Sequence, residues 1–317
     1  MDKQIYLCLA HMSESGYEQK YVKEAFDTNW VVPLGPNVNA FEEDLKQFTG
    51  DTHEVVALSA GTAAVHLALI ACGVGPGDEV LVQSFTFCAS SHPITYLGAK
   101  PVFVGSEPET WNMDPVLLEE AIKDRIAKIG KKPKAIVPVA LYGMPYDCKR
   151  IMEIADRYDI PVVEDAAEGF GSKFDGRILG TFGKFGVLSF NGNKMITTSG
   201  GGALVCQSVE DKNTVMWYAT QARDAYPYYQ HTAIGYNYRM SNVVAAIGLA
   251  QVEKADDYRA MRIRNNELYR KYLEGVPGII FQSLPEEGCI DVCWMNTIVL
   301  DPEKFGHTKD ETVTFLK

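Results

Sequence analysis

The amino-acid sequence predicts an α/β protein built on a mostly parallel sheet with helices on both faces. Three observations predict it. Short β-rich runs alternate with helical stretches from Val55 to Cys206. The runs are continuously apolar, as strands buried on both faces must be, rather than alternating as half-exposed strands do. The segments between several of them are long enough for crossover helices, which parallel neighbours require.

Taken in chain order, "YEQKYVKEAFDTNWVVPLGPNVNAFEEDLKQFTG" reads as two amphipathic helices around a Pro/Gly loop. The expected strands are Glu54 to Leu58, Glu79 to Gln83, Pro101 to Val104, Ala135 to Leu141, Ile160 to Asp165, Phe185 to Phe190 and Gly202 to Cys206. Helices are expected over Thr62 to Cys72, Pro115 to Ile129 and Asp147 to Tyr158, and a long, charge-rich and bent one over Met240 to Glu274. From Gly278 a small lobe follows, with strands near Ile279 and Trp294 to Leu300. The expected division is an N-terminal arm and large domain over 1–240, then a connecting helix and small C-terminal α+β domain over 241–317. The chain stops in "KDETVTFLK", which has helical character and no capping glycine after it, so the small domain is expected to be incomplete.

Composition narrows the function classes. The 317 residues are 46% hydrophobic and 22% charged, ordinary for a globular protein. A formal net charge of -11 argues against nucleic-acid binding through a broad basic surface. The 7 cysteines are scattered and form no zinc-type CxxC pairs, so reduced thiols, a cytoplasmic location and no metal are expected. The N-terminal twenty residues have too short an apolar stretch and too many acids for a secretory signal. The long uncharged run Val55 to Gly77 is interrupted by Ser59, Gly61, Thr62, His66, Gly73 and Gly75, and reads as strand, turn and buried helix rather than a membrane span.

Three stretches carry candidate chemistry. In "SAGTAAVHLAL" a strand ends at Leu58 and a helix starts near Thr62. Free N–H groups and the helix dipole make such a start an anion site, with Gly61 permitting close approach and Thr62 adding a hydroxyl. An ordinary strand-to-helix turn reads the same. In "IPVVEDAAEGFG", Asp165 ends an apolar strand, where open α/β sheets place ligands. It either pairs with a cation or forms a capping box with Glu168. In "FGVLSFNGNKMITTSGGGAL", Lys194 follows a β-rich run, and the Asn191 to Asn193 turn would aim it back at the sheet edge. A loop lysine is commonly just solvated, but a buried one can form a Schiff base.

Together the stretches match the needs of pyridoxal phosphate (PLP): a lysine for the Schiff base, a carboxylate at the pyridine nitrogen, a phosphate cradle and a flat apolar surface. Lys194, Asp165, the Gly61–Thr62 turn and Phe87 in "SFTFCASSHPI" would supply them, although Phe87 taken alone reads as core. The pyridinium–Asp165 hydrogen bond would contribute about 1.5–3 kcal/mol and keep the ring protonated.

The sequence resembles the DegT/DnrJ/EryC1/StrS family of PLP-dependent sugar aminotransferases over essentially its whole length. The stretches that carry the resemblance are "PLGPNVNAFEEDL", "AGTAAVHLAL", "SFTFCASSHPITYLGAKPVFV", "VEDAAEGFGS", "LGTFGKFGVLSFNGNKMITTSGGGAL" and "IGYNYRMSNVVAAIGLAQVE". Within the family, "SFNGNKMITTSGGG" and "QARDAYPYYQH" are similar to bacillosamine-pathway members, which aminate C4 of a UDP-linked 2-acetamido-4-keto-6-deoxy sugar. The resemblance implies fold type I, the aspartate aminotransferase-like architecture. It implies that Lys194 holds PLP and Asp165 faces the pyridine nitrogen. Phe87 would stack on the ring, Glu168 would stand where many members have Gln facing the PLP hydroxyl, and Gly61, Thr62 and Ser189 would bind the phosphate. Asn237 would reach the phosphate of a neighbouring subunit, making a homodimer with shared active sites. Asn29, Trp30, Val31, Val32, Ala60 and Asn191 match positions near the nucleotide sugar. Two departures stand out: Ala60 replaces a frequent serine, and Ala140 replaces the histidine of an "HLYG" pattern.

The expected reaction is ping-pong transamination from an amino acid, L-glutamate in the first instance, to the ketosugar, with Lys194 moving the proton. Alternatives are amination at C3 or of a dTDP-linked sugar, and a non-enzymatic PLP-binding regulator. Lys194 argues against the PLP-dependent sugar dehydratases of this fold, which carry histidine there. The lack of a GxGxxG after an early strand argues against a nicotinamide dehydrogenase.

Overall fold

A computed structural model describes residues 10–316. Two amphipathic helices come first, α1 (Tyr17–Asp27) and α2 (Pro36–Phe48). The α/β block then runs β1 (Glu54–Leu58), α3 (Gly61–Ala71), β2 (Glu79–Gln83), the short α4 (His92–Tyr96), β3 (Lys100–Val104), α5 (Pro115–Ile129), β4 (Ala135–Val137), α6 (Cys148–Tyr158) and β5 (Val163–Asp165). A small hairpin of β6 (Lys173–Phe174) and β7 (Arg177–Ile178) follows, then β8 (Phe185–Ser189), β9 (Gly202–Cys206) and α7 (Val209–Ala219). Helices α8 (Asn242–Val252) and α9 (Ala255–Leu273) lead to a hairpin of β10 (Ile279–Phe281) and β11 (Ile298–Leu300), and to α10 (Pro302–Phe305) and α11 (Lys309–Leu316). Among the described residues no helix is long and apolar enough to cross a membrane.

The central sheet has the order β3-β2-β4-β5-β8-β9-β1. Single bridges, Ile136 to Val162 and Val139 to Asp165, join β4 to β5 in parallel. Only β9 runs antiparallel to its neighbours, Leu58 and Ser189 both pairing with Gly202 at its start. The sheet is therefore mixed and mostly parallel, as expected for fold type I. The inner strands and β1 bury both faces, whereas edge strand β3 leaves Phe103 exposed: Val55 and Ala57 join one core cluster with Phe41, Leu118 and Ile151, while Val56 and Leu58 join the other with Val65, Leu69 and Val215. That double burial is why the strands read as continuous apolar runs. It also makes α3 apolar all round, since eight of its residues are buried.

Several boundaries differ from the sequence expectation for local reasons. The Ala135–Leu141 run yields only the short β4 because Pro138 has no N–H to continue the ladder; Val139 then makes one bridge before a 3-10 turn at Leu141–Gly143. The Ile160–Asp165 run starts pairing late, after Pro161. The expected bend in the long helix falls between Val252 and Ala255. Helix α7 was not anticipated, although its start is marked by Ser208, whose hydroxyl accepts from Asp211 N.

Candidate active site

The parallel strands present their carboxyl ends at one edge of the sheet, where open α/β sheets bind ligands. At the β1 end, Ala60 is the extended N-cap of α3 and Gly61 its first residue. Among the described residues no side chain caps this helix, so its first-turn N–H groups are available to an anion. Ser189, at the end of β8, stands directly beside Gly61: a Cβ on that glycine would lie 3.1 Å from Ser189 Cβ and 3.3 Å from its Oγ. Gly202 closes the cradle from behind. A Cβ there would lie 2.4 Å from Gly61 N and 2.5 Å from Ala60 C, so only glycine lets β9 pass this close to the turn. Backbone donors, a hydroxyl from Ser189 and the half-buried Thr62 make an anion cradle.

Asp165 ends β5 and is 6% exposed. Its Oδ2 accepts from Ser90 Oγ at 2.6 Å, and its Oδ1 accepts from Ala167 N at 3.2 Å. It caps no helix, because residues 166–172 are irregular, and the capping-box reading is thereby excluded. Ser90 belongs to a 3-10 turn, Cys88–Ser90, whose N-cap is Phe87. Thr86 Oγ1 lies 2.7 Å from Ser90 Oγ, so the loop bearing Phe87 is tied to the Asp165 carboxylate. Phe87 itself is 71% exposed, the reverse of a core phenylalanine, and offers a flat apolar face on the loop that Ser90 ties to that carboxylate.

Lys194 follows β8 through a turn in which its N–H donates to Asn191 O at 3.0 Å. Phe190 anchors this loop: it is fully buried, donates to Gly201 O, and accepts from Thr198 N. The lysine side chain is 13% exposed. Its Nζ lies 3.5 Å from Glu168 Oε1 and 4.1 Å from the centroid of the Trp294 ring. Glu168 Oε2 accepts from Tyr142 N at 2.6 Å, and Tyr142 holds a left-handed backbone (φ 61°) to make that donation. Burial pushes the Glu168 carboxyl above its ordinary range, the Lys194 charge pulls it back, and the Asp165 charge pushes it up again. Glu168 thus stands within electrostatic reach of both Lys194 and Asp165. A cavity of about 720 Å³, of the size that small-molecule sites have, opens against Lys194 and is also lined by Met195, Thr197, Tyr258, Arg262 and Trp294.

The structure does not gather every expected residue. Asn29 to Val32 are exposed, and the bonds holding this segment run to Asn242 at the head of α8, which donates from Nδ2 to Trp30 O and from N to Val32 O. Asn191 is exposed at the turn before the lysine, and Asn237 is exposed on a strip whose neighbour Tyr238 accepts from Ser59 N. Ala140, the departure from histidine, is fully buried and leaves room for Gly169, whose added Cβ would lie 2.9 Å from Ala140 Cβ. Sequence reasoning missed Ser90, Gly202 and Trp294. Ser90 lay three residues past Phe87 in a stretch already singled out; Trp294 read only as the start of a small-lobe strand.

The residues present fit PLP. A partly buried amine, a carboxylate held at the strand end, an exposed phenyl face and an anion cradle share one sheet edge, and the glycine at 202 is demanded by the cradle's closeness. Comparison with known proteins agrees. The model of the DegT/DnrJ/EryC1/StrS aminotransferase family matches residues 13–317. EpsN of Bacillus subtilis (strain 168), whose name places it among pyridoxal phosphate-dependent aminotransferases, is 45% identical over 302 residues, covering 95% of this chain and 76% of that protein. A GDP-perosamine synthase of Escherichia coli O157:H7 is 40% identical over 273 residues, covering 86% and 72%. The crystal structure of a DegT DnrJ EryC1 StrS aminotransferase from Brucella abortus superposes with a TM-score of 0.85 at 32% identity, covering 90% of this chain and 75% of that one.

Proposed function

This chain belongs to the DegT/DnrJ/EryC1/StrS aminotransferase family of PLP-dependent nucleotide-sugar aminotransferases, and from that premise we propose that it aminates C4 of a nucleotide-linked 4-keto-6-deoxy sugar, UDP-2-acetamido-4-keto-2,4,6-trideoxyhexose, with L-glutamate as donor. The observation that carries the reading is the Lys194 amine, closed on Glu168 at the sheet edge where Asp165 also ends its strand. The sugar rests on the resemblance of "SFNGNKMITTSGGG" and "QARDAYPYYQH" to the bacillosamine branch.

Bound PLP supplies a ring that withdraws electrons from the carbon carrying the transferred amine. Asp165, fixed by Ser90 and Ala167 N, keeps the pyridine nitrogen protonated. Phe87 would stack on the ring, and Gly61, Thr62 and Ser189 would hold the phosphate, the exposure of Phe87 and the closeness of Ser189 to Gly61 supporting those roles. Glu168, in contact with Lys194, would also face the ring hydroxyl. Lys194 Nζ, once free and neutral, removes the proton from the donor's α-carbon; in the second half-reaction it delivers a proton to sugar C4. Asn29 to Val32, Ala60 and Asn191 flank the nucleotide sugar. Asn237 would complete the phosphate site of a second subunit, and the exposure of Tyr229 and Ile234 gives a homodimer apolar surface to bury.

A second reading has one observation in its favour: the 40% identity to a GDP-perosamine synthase supports a GDP-linked ketosugar. The test offers UDP-, GDP- and dTDP-linked 4-ketosugars with glutamate and reads product mass. Amination of the UDP sugar alone supports the first reading. Amination of the GDP sugar alone replaces it with the second, and no amination of any 4-ketosugar rejects both.

A further inference from the structure

We propose that Trp294 is a positioning residue for Lys194, its indole face holding the ammonium form of the amine through a cation–π contact. The proposal deepens the reading above and rests on Lys194 being the proton-moving amine.

The geometry has two parts. The indole face stands 4.1 Å from Lys194 Nζ, inside cation–π range, and the lysine side chain is nearly buried. An ammonium in such a place has lost most of its water, and among the described residues the π face and the Glu168 carboxylate at 3.5 Å stabilise it. The indole N–H, meanwhile, donates to Asn193 O at 2.7 Å. That bond grips the residue immediately before the lysine and keeps the ring plane turned toward Nζ.

Trp294 is itself held from three directions. It is 5% exposed, its carbonyl accepts from Arg262 Nη1 at 2.7 Å, and the preceding Cys293 has a left-handed backbone (φ 53°) fixed by donation of its N–H to Asp291 Oδ1. The Trp294 contact also arrives from a stretch about a hundred residues further along the chain, so it links the C-terminal lobe to the reacting amine. Other charged groups lie across the cavity: Glu14, Lys254, Asp257 and the Arg262 guanidinium, with the Tyr258 phenol among them. Glu168 is the charged group in contact with Nζ.

The consequence concerns protonation. Lys194 must be neutral to remove a proton and cationic once it has done so. The indole face favours the cation and gives the ammonium a resting place once it has taken the proton.

The test uses the full chain freed of PLP, so that the readout does not depend on turnover. Competitive acetylation of Lys194 across pH, read by peptide mass spectrometry, reports the fraction of free amine. Trp294→Leu is expected to raise Lys194 labelling at neutral pH about tenfold, and Trp294→Phe to raise it less. Because Trp294→Leu also removes a buried ring, a second measurement keeps the fold intact. Replacing tryptophan by mono-, di- and trifluorotryptophan preserves shape and the N–H while weakening the π face, and labelling should rise stepwise with fluorine number. The same series in the Trp294→Phe background should be flat, which removes the other tryptophans from the argument. Flat labelling across the fluorine series in the wild-type background overturns the proposal. Borohydride trapping on the PLP-loaded wild type is run alongside: a pyridoxyl adduct off Lys194 sinks the functional reading, whatever the labelling series shows.

Discussion

Gly202→Ala tests the anion cradle most directly. A methyl group at that position would sit 2.4 Å from Gly61 N, 2.5 Å from Ala60 C and 2.8 Å from Ala60 O. All three are backbone atoms, so no flexible side chain can swing aside. Either β9 shifts away from β1 or the Ala60–Gly61 turn opens, and both move the first N–H groups of α3. Overpacking of this kind costs about 1–3 kcal/mol. Most of that should appear in affinity for the phosphate, weakening PLP binding roughly tenfold to hundredfold, about 1.4–2.7 kcal/mol. The assay titrates PLP-free protein with PLP and, separately, with pyridoxal, which lacks the phosphate, following the Schiff-base absorbance. Gly200→Ala is the control, since a Cβ there meets nothing within 4 Å. The expected pattern is weakened PLP binding, pyridoxal binding within about twofold of wild type, and an unaffected control. Equal weakening of both ligands would mean that the strain spreads through the sheet. Wild-type PLP affinity in Gly202→Ala would refute the placement of the phosphate.

Other outcomes follow from the same geometry. Lys194→Ala should abolish amine transfer, measured as glutamate-dependent product by mass; full turnover would remove Lys194 from the mechanism. Asp165→Ala should remove the partner of the pyridine nitrogen and leave Ser90 Oγ without its acceptor. The expected loss is a factor of about 10² to 10⁴ in transamination rate with PLP still bound, read by single-turnover absorbance. Asn237→Ala and Lys194→Ala subunits, each inactive alone, should regain roughly a quarter of wild-type activity when mixed and refolded together, because half of the dimers then carry one intact site; no recovery would argue against shared sites. Burial pushes the Asp291 carboxyl up to about 6 from an ordinary 3.8. A raised acid stabilises the fold fully below its unfolded pKa and loses that contribution as pH rises through the folded one. Asp291→Asn, which keeps the acceptor for Cys293 N, should therefore melt higher than wild type above pH 6, by about 1–2 kcal/mol, and match it near pH 3.5. An equal difference at both pH values would show that titration of Asp291 is not the cause.

Much of this molecule was legible before any coordinates. Strands β1, β2 and β9 and helix α5 fall where local pattern puts them, because burial on both faces leaves an uninterrupted apolar signature and turn residues punctuate it. The lysine, the strand-end aspartate and the small-residue turn were also visible, since each follows directly from an element whose limits the sequence marks. Pro138 is a case where local chemistry was present in the sequence and still shortened a strand that the apolar run alone suggested.

What the sequence by itself determined is the alternation of elements, the family, and the identity of Lys194 and Asp165 as a pair worth testing. Which side chains complete that pair was decided only by tertiary structure. Glu168 is equally a helix cap or a partner of the lysine until the backbone after Asp165 is seen to be irregular and its carboxylate seen to meet Nζ. Trp294 lies about a hundred residues from the amine it covers, and Gly202 is essential only because β9 returns antiparallel against the β1 turn. The physical reason is range: propensity and periodicity act over a few residues, whereas burial, close backbone approach and cation–π contact depend on which distant segments the packed core brings together.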